Sequence, residues 1–552
     1  MLEVKKLSIS FNNNIVVHNL NFELQKNKIL GIVGESGSGK SVSSLAILGL
    51  LPKQATIEGE VLFEEKNVLN YSEKKFQQIR GNKIAMIFQE PMSSLNPTLT
   101  CGFQVAEILQ KHTQLSSKEI KNEVISLFEK VKLPRPEAIF SSFPHQISGG
   151  QKQRVMIAMA IACKPEVLIA DEPTTALDVT VQKEIILLLK ELQQENGMSI
   201  LFITHDLALV SEIADEVLVM YKGKVVEKGT AKQVFLHPKE NYTKALINSK
   251  PNLEERLMTL PTVTNFIEET VNSSIYTNEE RANFHQKIYA KKPLLEIINL
   301  EKHFISNGSW LDKKEVVKAV DNVSFKIYEG ETLGLVGESG CGKTTLGRTI
   351  LHLEKATSGQ IFYKQKDITS LSKLALQTLR KEIQIIFQDP FSSLNPRISV
   401  GKAILEPMKV HNILSSNKER KAYVLELLEK VGLSTEHFNR FPHEFSGGQR
   451  QRIGIARTIA LQPKLIICDE SVSALDVSVQ AQVLNLLNQL KAEFNFTYIF
   501  ISHDLSVVKY MADQLVVMNK GKVEEIDDAD VIYSNPKTTY TKTLIDAIPK
   551  GI

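Results

Sequence analysis

Two short segments of nearly identical sequence could each hold a phosphate group. They read GESGSGKS at 34–41 and GESGCGKT at 337–344. Both fit the pattern G-x-x-x-x-G-K-[ST], and each lies between an apolar run and a helix-forming stretch. Glycines let successive backbone N–H groups turn inward around an anion, and the positive end of the helix dipole adds to the attraction. We therefore expect each segment to bind the phosphates of a nucleotide.

The residues of these two phosphate loops have different expected roles. Lys40 and Lys343 are expected to reach the β- and γ-phosphates, and Ser41 and Thr344 to bind Mg²⁺. A glycine turn with an incidental lysine is the alternative, but two matches in the same context weigh against it. The other loop residues expected to contact the nucleotide are Gly34, Ser36, Gly37, Gly39, Gly337, Ser339, Gly340 and Gly342.

Acidic residues end a second apolar run in each half of the sequence. Asp171 and Glu172 close the first run, and Asp469 and Glu470 close the second, at the kind of strand end where open α/β sheets bind ligands. The aspartate is suited to hold Mg²⁺. The glutamate is suited to orient, or accept a proton from, a water that attacks the γ-phosphate. An ordinary helix-capping pair of acids is the alternative.

A glutamine and a histidine complete this set in each half. Gln89 and Gln388 could bind the metal or touch the attacking water, although a lone loop glutamine is more often simply solvated. His205 and His503 each follow an apolar run and precede an aspartate. A lone histidine there is more often structural, so only its place in the set indicates a catalytic role.

The tetrapeptide SGGQ occurs once in each half, before a basic helical stretch. A serine hydroxyl and glycine N–H groups at a helix start form a second kind of phosphate site. A plain glycine-rich helix N-cap is the alternative. Because each half already has a phosphate loop, a second phosphate site needs a nucleotide from elsewhere, which a two-fold arrangement of the halves would supply. The residues concerned are Ser148, Gly150, Gln151, Ser446, Gly448 and Gln449.

These motifs recur in the same order because the chain contains two copies of one domain. The offset is 299 residues for the glutamines (388 − 89) and 298 for the histidines (503 − 205). We place the domains at 1–250 and 293–552. The polar stretch 251–292 reads as a linker, and its residues 251–290 carry a net charge of −3. About ten extra residues of the second copy fall within SNGSWLDKKEV (306–316).

The pattern of elements predicts an α/β fold for both copies. Short apolar runs such as LGIVGES and VLIADE end in polar residues, as buried parallel strands do. Ser116 with Glu119, and Ser416 with Glu419, are candidate capping boxes that open helices between the glutamine segment and SGGQ. One predicted apolar face consists of Ile120, Val124, Leu127, Phe128 and Val131.

Composition excludes several classes of protein for a chain of 552 residues. The four cysteines are scattered without a CxxC pair, which argues against a disulfide framework, zinc or an iron–sulfur cluster and suits a reducing cytosol. The N-terminus has no apolar run long enough for a secretory signal. No stretch approaches the roughly 18–20 apolar residues that span a bilayer. If the protein acts at a membrane, other chains are expected to provide the spanning part.

The order of the motifs, from phosphate loop to histidine, resembles an ABC-type ATPase, twice over. The resemblance covers nearly everything except the linker. It implies two P-loop NTPase nucleotide-binding domains, each with a RecA-like core, an antiparallel β subdomain and an inserted α-helical subdomain. It also implies ATP and Mg²⁺ as ligands, and an internal pseudo-dimer in which the two domains pack head to tail around two ATP molecules.

The resemblance assigns residues to two composite sites. The first joins Lys40, Ser41, Gln89, Asp171, Glu172 and His205 to Ser446, Gly448 and Gln449; the second joins Lys343, Thr344, Gln388, Asp469, Glu470 and His503 to Ser148, Gly150 and Gln151. By the same resemblance, Ser41, Gln89, Asp171, Thr344, Gln388 and Asp469 are the expected Mg²⁺ ligands. Phe11 and Phe304 match the aromatic that stacks on adenine, although either could be a core residue. Asp178 and Asp476 match the loop that communicates across the interface.

A finer resemblance is to the paired ATPases of dipeptide, oligopeptide and nickel importers. GESGSGKSVSSLAILGLLP is similar to the first ATPase and GESGCGKTTLGRTIL to the second, so the chain looks like both fused, as in the fused ATP-binding proteins of glutathione and microcin-type peptide importers. This implies two integral-membrane permeases, an extracytoplasmic solute-binding protein, and a peripheral position on the cytoplasmic face of the bacterial inner membrane. Peptides or peptide-like solutes are the expected cargo, with nickel or a metal chelate as the alternative.

Departures from the family pattern are small. Ser471 replaces the usual proline after the second acid pair, and Ile147 and Phe445 stand where leucine is usual. Neither site lacks a catalytic element, so both are expected to hydrolyse ATP. Cys341 lies beside Lys343 at a helix start, which suggests a thiol of lowered pKa, or simply a small tolerated residue like Ser38.

Two rival classes are disfavoured. A soluble tandem ATPase acting on ribosomes or nucleic acid would usually have a long basic linker or zinc-binding cysteines, whereas this linker is acidic and would repel a phosphate backbone. No nucleic-acid partner is therefore expected. A non-catalytic nucleotide sensor is disfavoured because Glu172 and Glu470 are both present.

Overall fold

A computed structural model describes residues 1–175, 177–271, 274–306, 315–389, 393–473 and 475–549. Most of the extra residues expected within 306–316 lie outside this description. The chain divides into two compact units. The first contains Met1–Asn248 and Val263–Thr270, and the second contains Ser249–Thr262 and Val271–Ile548.

The first unit combines two sheets with a set of helices. Its strands are β1 (Leu2–Phe11), β2 (Asn14–Leu24), β3 (Ile29–Val33), β4 (Ala55–Phe63), β5 (Lys66–Asn67), β6 (Ile84–Ile87), β7 (Val167–Asp171), β8 (Ser199–Thr204), β9 (Glu216–Tyr221) and β10 (Lys224–Thr230). Its helices are α1 (Lys40–Ile47), α2 (Glu73–Ile79), α3 (Pro91–Ser94), α4 (Cys101–His112), α5 (Ser117–Lys130), α6 (Pro136–Ser141), α7 (Gly149–Ile161), α8 (Val179–Asn196), α9 (Leu207–Ile213), α10 (Ala231–Leu236), α11 (Asn241–Asn248) and α12 (Val263–Ile267).

The sheets of the first unit have different strand orders and directions. One has the order β2-β1-β4-β5 with antiparallel neighbours. The other has the order β10-β9-β3-β8-β7-β6, parallel except for β10. Side chains alternate along β3: Leu30 and Ile32 pack against the antiparallel sheet, and Ile29 and Val33 pack into the helical side of the core. The α/β architecture expected from the apolar runs is therefore confirmed here.

Helices α4 to α6 lie between strands β6 and β7 in the chain. Helix α5 begins at the predicted capping box: Ser116 Oγ accepts from the Glu119 N–H, and the Glu119 carboxylate accepts from the Ser116 N–H at 2.8 Å. The five residues of its predicted apolar face, from Ile120 to Val131, are all buried. The inserted helical segment is thus held by apolar packing and a satisfied N-terminus.

The second unit repeats this arrangement. Its strands are β11 (Leu295–Ser306), β12 (Glu315–Ile327), β13 (Thr332–Val336), β14 (Ser358–Tyr363), β15 (Lys366–Asp367), β16 (Ile383–Ile386), β17 (Leu465–Asp469), β18 (Thr497–Ile501), β19 (Gln514–Asn519) and β20 (Lys522–Asp528). Its helices are α13 (Asn278–Tyr289), α14 (Lys343–Ile350), α15 (Lys373–Glu382), α16 (Val400–Val410), α17 (Asn417–Lys430), α18 (Gly447–Ile459), α19 (Val477–Phe494), α20 (Leu505–Met511), α21 (Ala529–Ser534) and α22 (Thr539–Asp546). The sheet orders are β12-β11-β14-β15 and β16-β17-β18-β13-β19-β20, and the predicted capping box of Ser416 and Glu419 opens α17. Within the described residues, no helix is both long enough and apolar enough to cross a bilayer.

The stretch 274–290, which lies within the expected linker, belongs to the second compact unit and carries buried charges. Helix α13 carries Arg281, which is 5% exposed. Its guanidinium donates to the Asp513 carbonyl at 2.7 Å and to the Asp528 carboxylate at 3.0 Å, and it also pairs with Asp530. His285, one turn further on, lies 3.3 Å from Asp528 and 3.5 Å from Asp513. Arginine, histidine and three carboxylates therefore form one ionic cluster, which we call the α13 cluster.

The first unit does not offer the same cluster. The residues that correspond to Asp528 and Asp530 are Thr230 and Lys232, 298 positions earlier. Only Asp215, which corresponds to Asp513, is kept, and it accepts from the Ile29 N–H at 2.9 Å. Arg281 and His285 of α13 pair with Asp528 and Asp530 in the second unit. The first copy of the domain has no carboxylate at the two corresponding positions.

Candidate functional site

The first phosphate loop follows β3 and ends where α1 begins at Lys40. Lys40 is 5% exposed, and its ammonium donates to the carbonyls of Gly34 at 2.7 Å and Glu35 at 2.8 Å. An ammonium has three donors, so these two carbonyls fix its direction within the loop. Gly34 has φ +152°, and a Cβ there would lie 2.1 Å from the Met220 carbonyl oxygen. Only glycine fits at this position, which lets the backbone curve around a phosphate.

The second phosphate loop has the same geometry between β13 and α14. Lys343 donates to the carbonyls of Gly337 at 2.7 Å and Glu338 at 2.9 Å. Cys341 is buried, and burial raises its pKa although Lys343, 3.7 Å from the sulfur, opposes this. The hypothesis of a reactive thiol of lowered pKa is therefore wrong. Cys341 is a small packed residue, like Ser38 in the first loop.

The expected metal-binding pairs lie together in both units. Ser41 Oγ donates to the Asp171 carboxylate at 3.0 Å, and Thr344 Oγ1 donates to the Asp469 carboxylate at 3.0 Å. Burial raises the pKa of Asp171 to about 6, while the hydrogen bond from Ser41 opposes the shift. Burial likewise raises the pKa of Asp469. A buried carboxylate beside a hydroxyl is an all-oxygen donor set of the kind that Mg²⁺ prefers.

Glu172 is the centre of a hydrogen-bonded cluster in the first unit. Its carboxylate accepts from Gln89 Nε2 at 2.8 Å and Thr175 Oγ1 at 2.9 Å, and it lies 3.2 Å from His205 Nδ1. Burial alone would raise its pKa, but His205, Lys40 and Thr175 outweigh burial and hold the pKa at about 2. The carboxylate is therefore ionised at neutral pH and can accept a proton or orient a water.

The backbone of Glu172 is also constrained. Its φ is +48°, in the left-handed region that a non-glycine residue rarely occupies. Its N–H donates to the Ile203 carbonyl on β8 at 2.8 Å. Strain of this kind persists only where the surroundings fix it, and the Glu172 carboxylate is in contact with Gln89 and His205.

Glu470 has a corresponding cluster in the second unit, with one difference. It has φ +48°, accepts from Gln388 Nε2 at 2.7 Å and lies 3.4 Å from His503 Nδ1. Burial raises its pKa, and His503 reverses the shift so that the pKa ends below its ordinary value. Ser473, which corresponds to Thr175, donates to the Glu470 backbone carbonyl at 2.9 Å and not to the carboxylate.

The histidines have raised pKa values because of these glutamates. Burial alone lowers the pKa of His205, but the hydrogen bond and charge of Glu172 outweigh it. His503 behaves in the same way next to Glu470. Each histidine can therefore carry a positive charge beside its glutamate, close to the place where phosphate charge is expected.

The SGGQ segments form helix N-termini with satisfied caps. Ser148 is exposed and caps α7, where its Oγ accepts from the Gln151 N–H at 3.3 Å and the Gln151 side chain accepts from the Ser148 N–H at 2.9 Å. Ser446 and Gln449 form the same capping box on α18. The helix N-cap, which was the alternative to a phosphate site, is therefore present at both SGGQ segments. Because Ser148 and Ser446 are exposed, the start of each helix is also accessible to an anion.

The second glycine of each SGGQ segment packs against the helix that follows the acid pair. A Cβ on Gly150 would lie 2.9 Å from Val181, and one on Gly448 would lie 2.3 Å from Val479. Those helices are capped by Asp178, which accepts from the Val181 N–H, and by Asp476, which accepts from the Val479 N–H, each at 3.0 Å. Within each unit, SGGQ is thus in direct contact with the segment that carries this aspartate.

The two aromatic candidates lie on equivalent strands with different exposure. Phe11 ends β1 and packs partly against the core of the first unit. Phe304 on β11 is 41% exposed, and the Lys302 ammonium lies 4.7 Å from its ring centre. Stacking on adenine remains a prediction for both rings.

Sequence reasoning missed two contacts of the site. One is Thr175, and the other is a tyrosine hydroxyl at each phosphate loop, from Tyr242 and Tyr540. The recurrence of YTK near the end of both copies was a usable signal, since it repeats with the same offset as the histidines.

Each unit contains a phosphate loop whose first position, Gly34 or Gly337, accommodates only glycine. Each also contains a buried lysine ammonium bonded to that loop, a carboxylate paired with a hydroxyl, and an ionised glutamate. These residues fit a nucleoside triphosphate with Mg²⁺. A carboxylate that can accept a proton next to bound phosphates suits phosphoryl transfer to water.

Comparison with known proteins identifies the family. A model of the ABC transporter family matches residues 17–175 and 320–473. A model of the C-terminal region of oligopeptide/dipeptide transporters matches residues 226–271 and 524–551. The glutathione import ATP-binding protein GsiA of Escherichia coli (strain K12) is 45% identical over 563 aligned residues, which cover 100% of this chain and 89% of the relative. The protein of the same name from Shigella sonnei (strain Ss046) gives the same figures.

Solved structures give partial matches. A dimeric post-hydrolysis state of the ATP-binding cassette MJ0796 bound to ADP and Pi is 28% identical and covers 43% of this chain and 98% of that one, with a TM-score of 0.39. CbiO1 from Clostridium perfringens, part of the ABC transporter complex cbiONQ, is 26% identical, with coverages of 44% and 92% and a TM-score of 0.39. On the family match and the full-length relatives, the chain belongs to the ABC transporter family, as an ATP-hydrolysing subunit with two ATP-binding domains.

Proposed function

We propose that this chain powers the import of peptides or peptide-like solutes by hydrolysing ATP at two sites. The observation that carries the proposal is the complete set of phosphate loop, acid pair, glutamine and histidine in each unit, with the same contacts. The match to the C-terminal region of oligopeptide/dipeptide transporters, and relatives named for glutathione import, support a peptide cargo. Glutathione is itself a tripeptide, so it belongs to the same class.

In the proposed reaction, a water attacks the γ-phosphorus in line and the bond from phosphorus to the bridging oxygen of ADP breaks. Glu172 and Glu470 orient this water and accept its proton. Lys40 and Lys343 bind the phosphate oxygens, and His205 and His503 place positive charge near them. Mg²⁺, held by Ser41 with Asp171 and by Thr344 with Asp469, would neutralise phosphate charge, and Gln89 and Gln388 are further proposed ligands.

We assign the SGGQ segments to the partner site. Each unit has a phosphate loop of its own, so an exposed serine at a second helix start has no phosphate to bind unless one comes from the other unit. Ser446, Gly448 and Gln449 are proposed to close the Lys40 site, and Ser148, Gly150 and Gln151 the Lys343 site. Neither loop is then sufficient alone.

The proposed partners are two membrane permeases and an extracytoplasmic solute-binding protein. Large apolar side chains are exposed just before the site glutamines: Phe88 is 41% exposed and Phe387 is 42% exposed. Phe387 lines a groove of the second unit together with Leu353, Pro407 and Arg457. Exposed apolar residues beside a site residue suit a permease contact that senses ATP. The proposed location is the cytoplasmic face of a bacterial inner membrane.

Loss of both phosphate-loop lysines is expected to abolish uptake. In cells that carry Lys40→Ala with Lys343→Ala, accumulation of labelled dipeptides and of labelled glutathione should fall to the level of cells without this chain, because neither loop can bind the ATP phosphates. The exposed lysines Lys53 and Lys355 provide a matched control, and alanine at both should leave uptake unchanged.

The cargo is tested in the same strains. If peptide and glutathione uptake persisted in the double lysine variant while nickel uptake was lost, the nickel alternative would replace the peptide proposal. If all three persisted, the chain would not be the energising subunit for any of them.

A further inference from the structure

A tyrosine hydroxyl touches the backbone of each phosphate loop. The Glu35 N–H donates to Tyr242 Oη at 3.2 Å, and the Glu338 N–H donates to Tyr540 Oη at 3.1 Å. These tyrosines lie on α11 and α22, within the segments matched by the C-terminal region of oligopeptide/dipeptide transporters. The contact therefore joins that region to the nucleotide site inside each unit.

The contact holds one defined peptide group. The Gly34 carbonyl and the Glu35 N–H belong to the same planar peptide unit. Lys40 donates to that carbonyl at 2.7 Å while Tyr242 accepts from that N–H, so the peptide is held at both edges. In the second unit, the carbonyl of Gly337 accepts from Lys343 at 2.7 Å, and Tyr540 is on the other edge.

The peptide needs this hold because glycine does not provide it. Gly34 and Gly337 have φ of +152° and +149°, and with no Cβ they permit several orientations of the peptide that follows. The carbonyl also aims the lysine ammonium, so a rotated peptide would move the group expected to bind phosphate. Hydrogen bonds on both sides remove that freedom before the nucleotide arrives.

The tyrosines are themselves anchored. Tyr242 is 6% exposed, and its ring centre lies 4.2 Å from that of Tyr221 on β9. Tyr540 packs against the core of the second unit. Asn519 stands where the first unit has Tyr221, so the hydroxyl contact is kept although the ring partner is not. The tyrosine hydroxyl therefore contacts the phosphate loop in both units, and this contact does not depend on a neighbouring aromatic ring.

We infer that Tyr242 and Tyr540 are positioning residues for the phosphate loops, through which the C-terminal region sets ATP affinity. They act on the loop peptide and on the lysine that it directs. Loss of the hydroxyl removes one of the two hydrogen bonds that hold the loop peptide and leaves the lysine bond at its other edge. The orientation of the peptide and of the lysine is then less well defined, so affinity for the phosphates falls while the catalytic glutamates stay in place.

The test uses the full chain with Tyr242→Phe, Tyr540→Phe and the double variant. In the double variant, the KM for ATP and the dissociation constant of ADP should each rise by about 2- to 10-fold, which corresponds to the free energy of one neutral hydrogen bond. The change in kcat should be smaller than the change in either of these constants. Tyr498→Phe is the matched control, since its hydroxyl donates to the Leu487 carbonyl at 3.0 Å and is buried away from the loop. It should leave both nucleotide constants unchanged.

The thermal midpoint without nucleotide separates positioning from folding. A KM within twofold of the parent chain, or a rise that Tyr498→Phe reproduces, would overturn the inference. A lowered midpoint with unchanged ADP affinity would also overturn it, because the tyrosines would then be merely structural. Each unit has its own tyrosine, so poor folding of one single variant still leaves the other to decide.

Discussion

Replacing Glu172 or Glu470 with glutamine is expected to abolish ATP hydrolysis at the site that contains the replaced residue. Replacing both glutamates is expected to lower the ATP turnover of the chain by about 10²-fold or more. Glutamine keeps the size of the side chain and can still receive the hydrogen bond from Gln89 or Gln388. It cannot accept a proton from water at neutral pH. The pKa of Glu172 is held at about 2, so the carboxylate that the substitution removes is ionised under all ordinary assay conditions. The measurement is steady-state phosphate release by the purified full chain.

Matched controls make the same chemical change on exposed residues. Glu191 pairs with Lys132 in the first unit, and Glu493 pairs with Lys430 in the second. Glu191→Gln and Glu493→Gln should leave turnover unchanged. If either single active-site variant kept full turnover, the corresponding site would be non-hydrolytic and the account of two working sites would be wrong.

Replacing Arg281 with alanine is expected to release α13 from the second unit. Removing one partner of a buried ion pair typically costs about 3–5 kcal/mol, because the remaining charges stay buried. Asp528 and Asp530 are about a third exposed, so water screens part of this loss and the lower end, about 3 kcal/mol, is expected. The Asp513 carbonyl also loses its guanidinium donor. The measurement is hydrogen exchange of the α13 amides, whose protection should fall.

Lys287 on the same helix is the control for this variant. It is exposed, so Lys287→Ala removes an equal charge without opening the α13 cluster. Exchange of α13 in this control should match the parent chain. Unchanged protection in Arg281→Ala would mean that apolar contacts, such as that of the buried Ile288, hold the helix and that the cluster does not.

Much of the site follows from local spacing, because its parts sit at the ends of elements. A strand followed by glycines and a helix places Lys40 in its loop. Asp171 ends a second strand of the same parallel sheet, and it reaches Ser41 although the two residues are 130 positions apart, because the carboxyl ends of parallel strands meet at one edge of the sheet. The capping box of Ser116 and Glu119 was also predictable, because both residues belong to one helix start.

Other contacts could not be read from spacing, since they join residues far apart in the chain. The Glu35 contact with Tyr242 spans 207 residues, and the Arg281 contact with Asp528 spans 247. The polar, acidic composition of 251–292 predicts a linker, but it does not show which carboxylates of the second unit Arg281 and His285 contact. For Cys341 the local charge pattern was misleading, because burial opposes and exceeds the effect of Lys343 on its pKa.

The central claim is that each ATP site needs residues from both halves of the chain. The most direct measurement is ATP turnover in a Glu470→Gln background, where the Lys40 site alone works, after adding either Ser446→Glu or Ser148→Glu. Both serines are exposed N-caps of equivalent helices, so the two substitutions carry a similar structural cost. The account predicts that Ser446→Glu abolishes the residual turnover and that Ser148→Glu reduces it less. A loss with Ser148→Glu as large as that with Ser446→Glu, or larger, would contradict it.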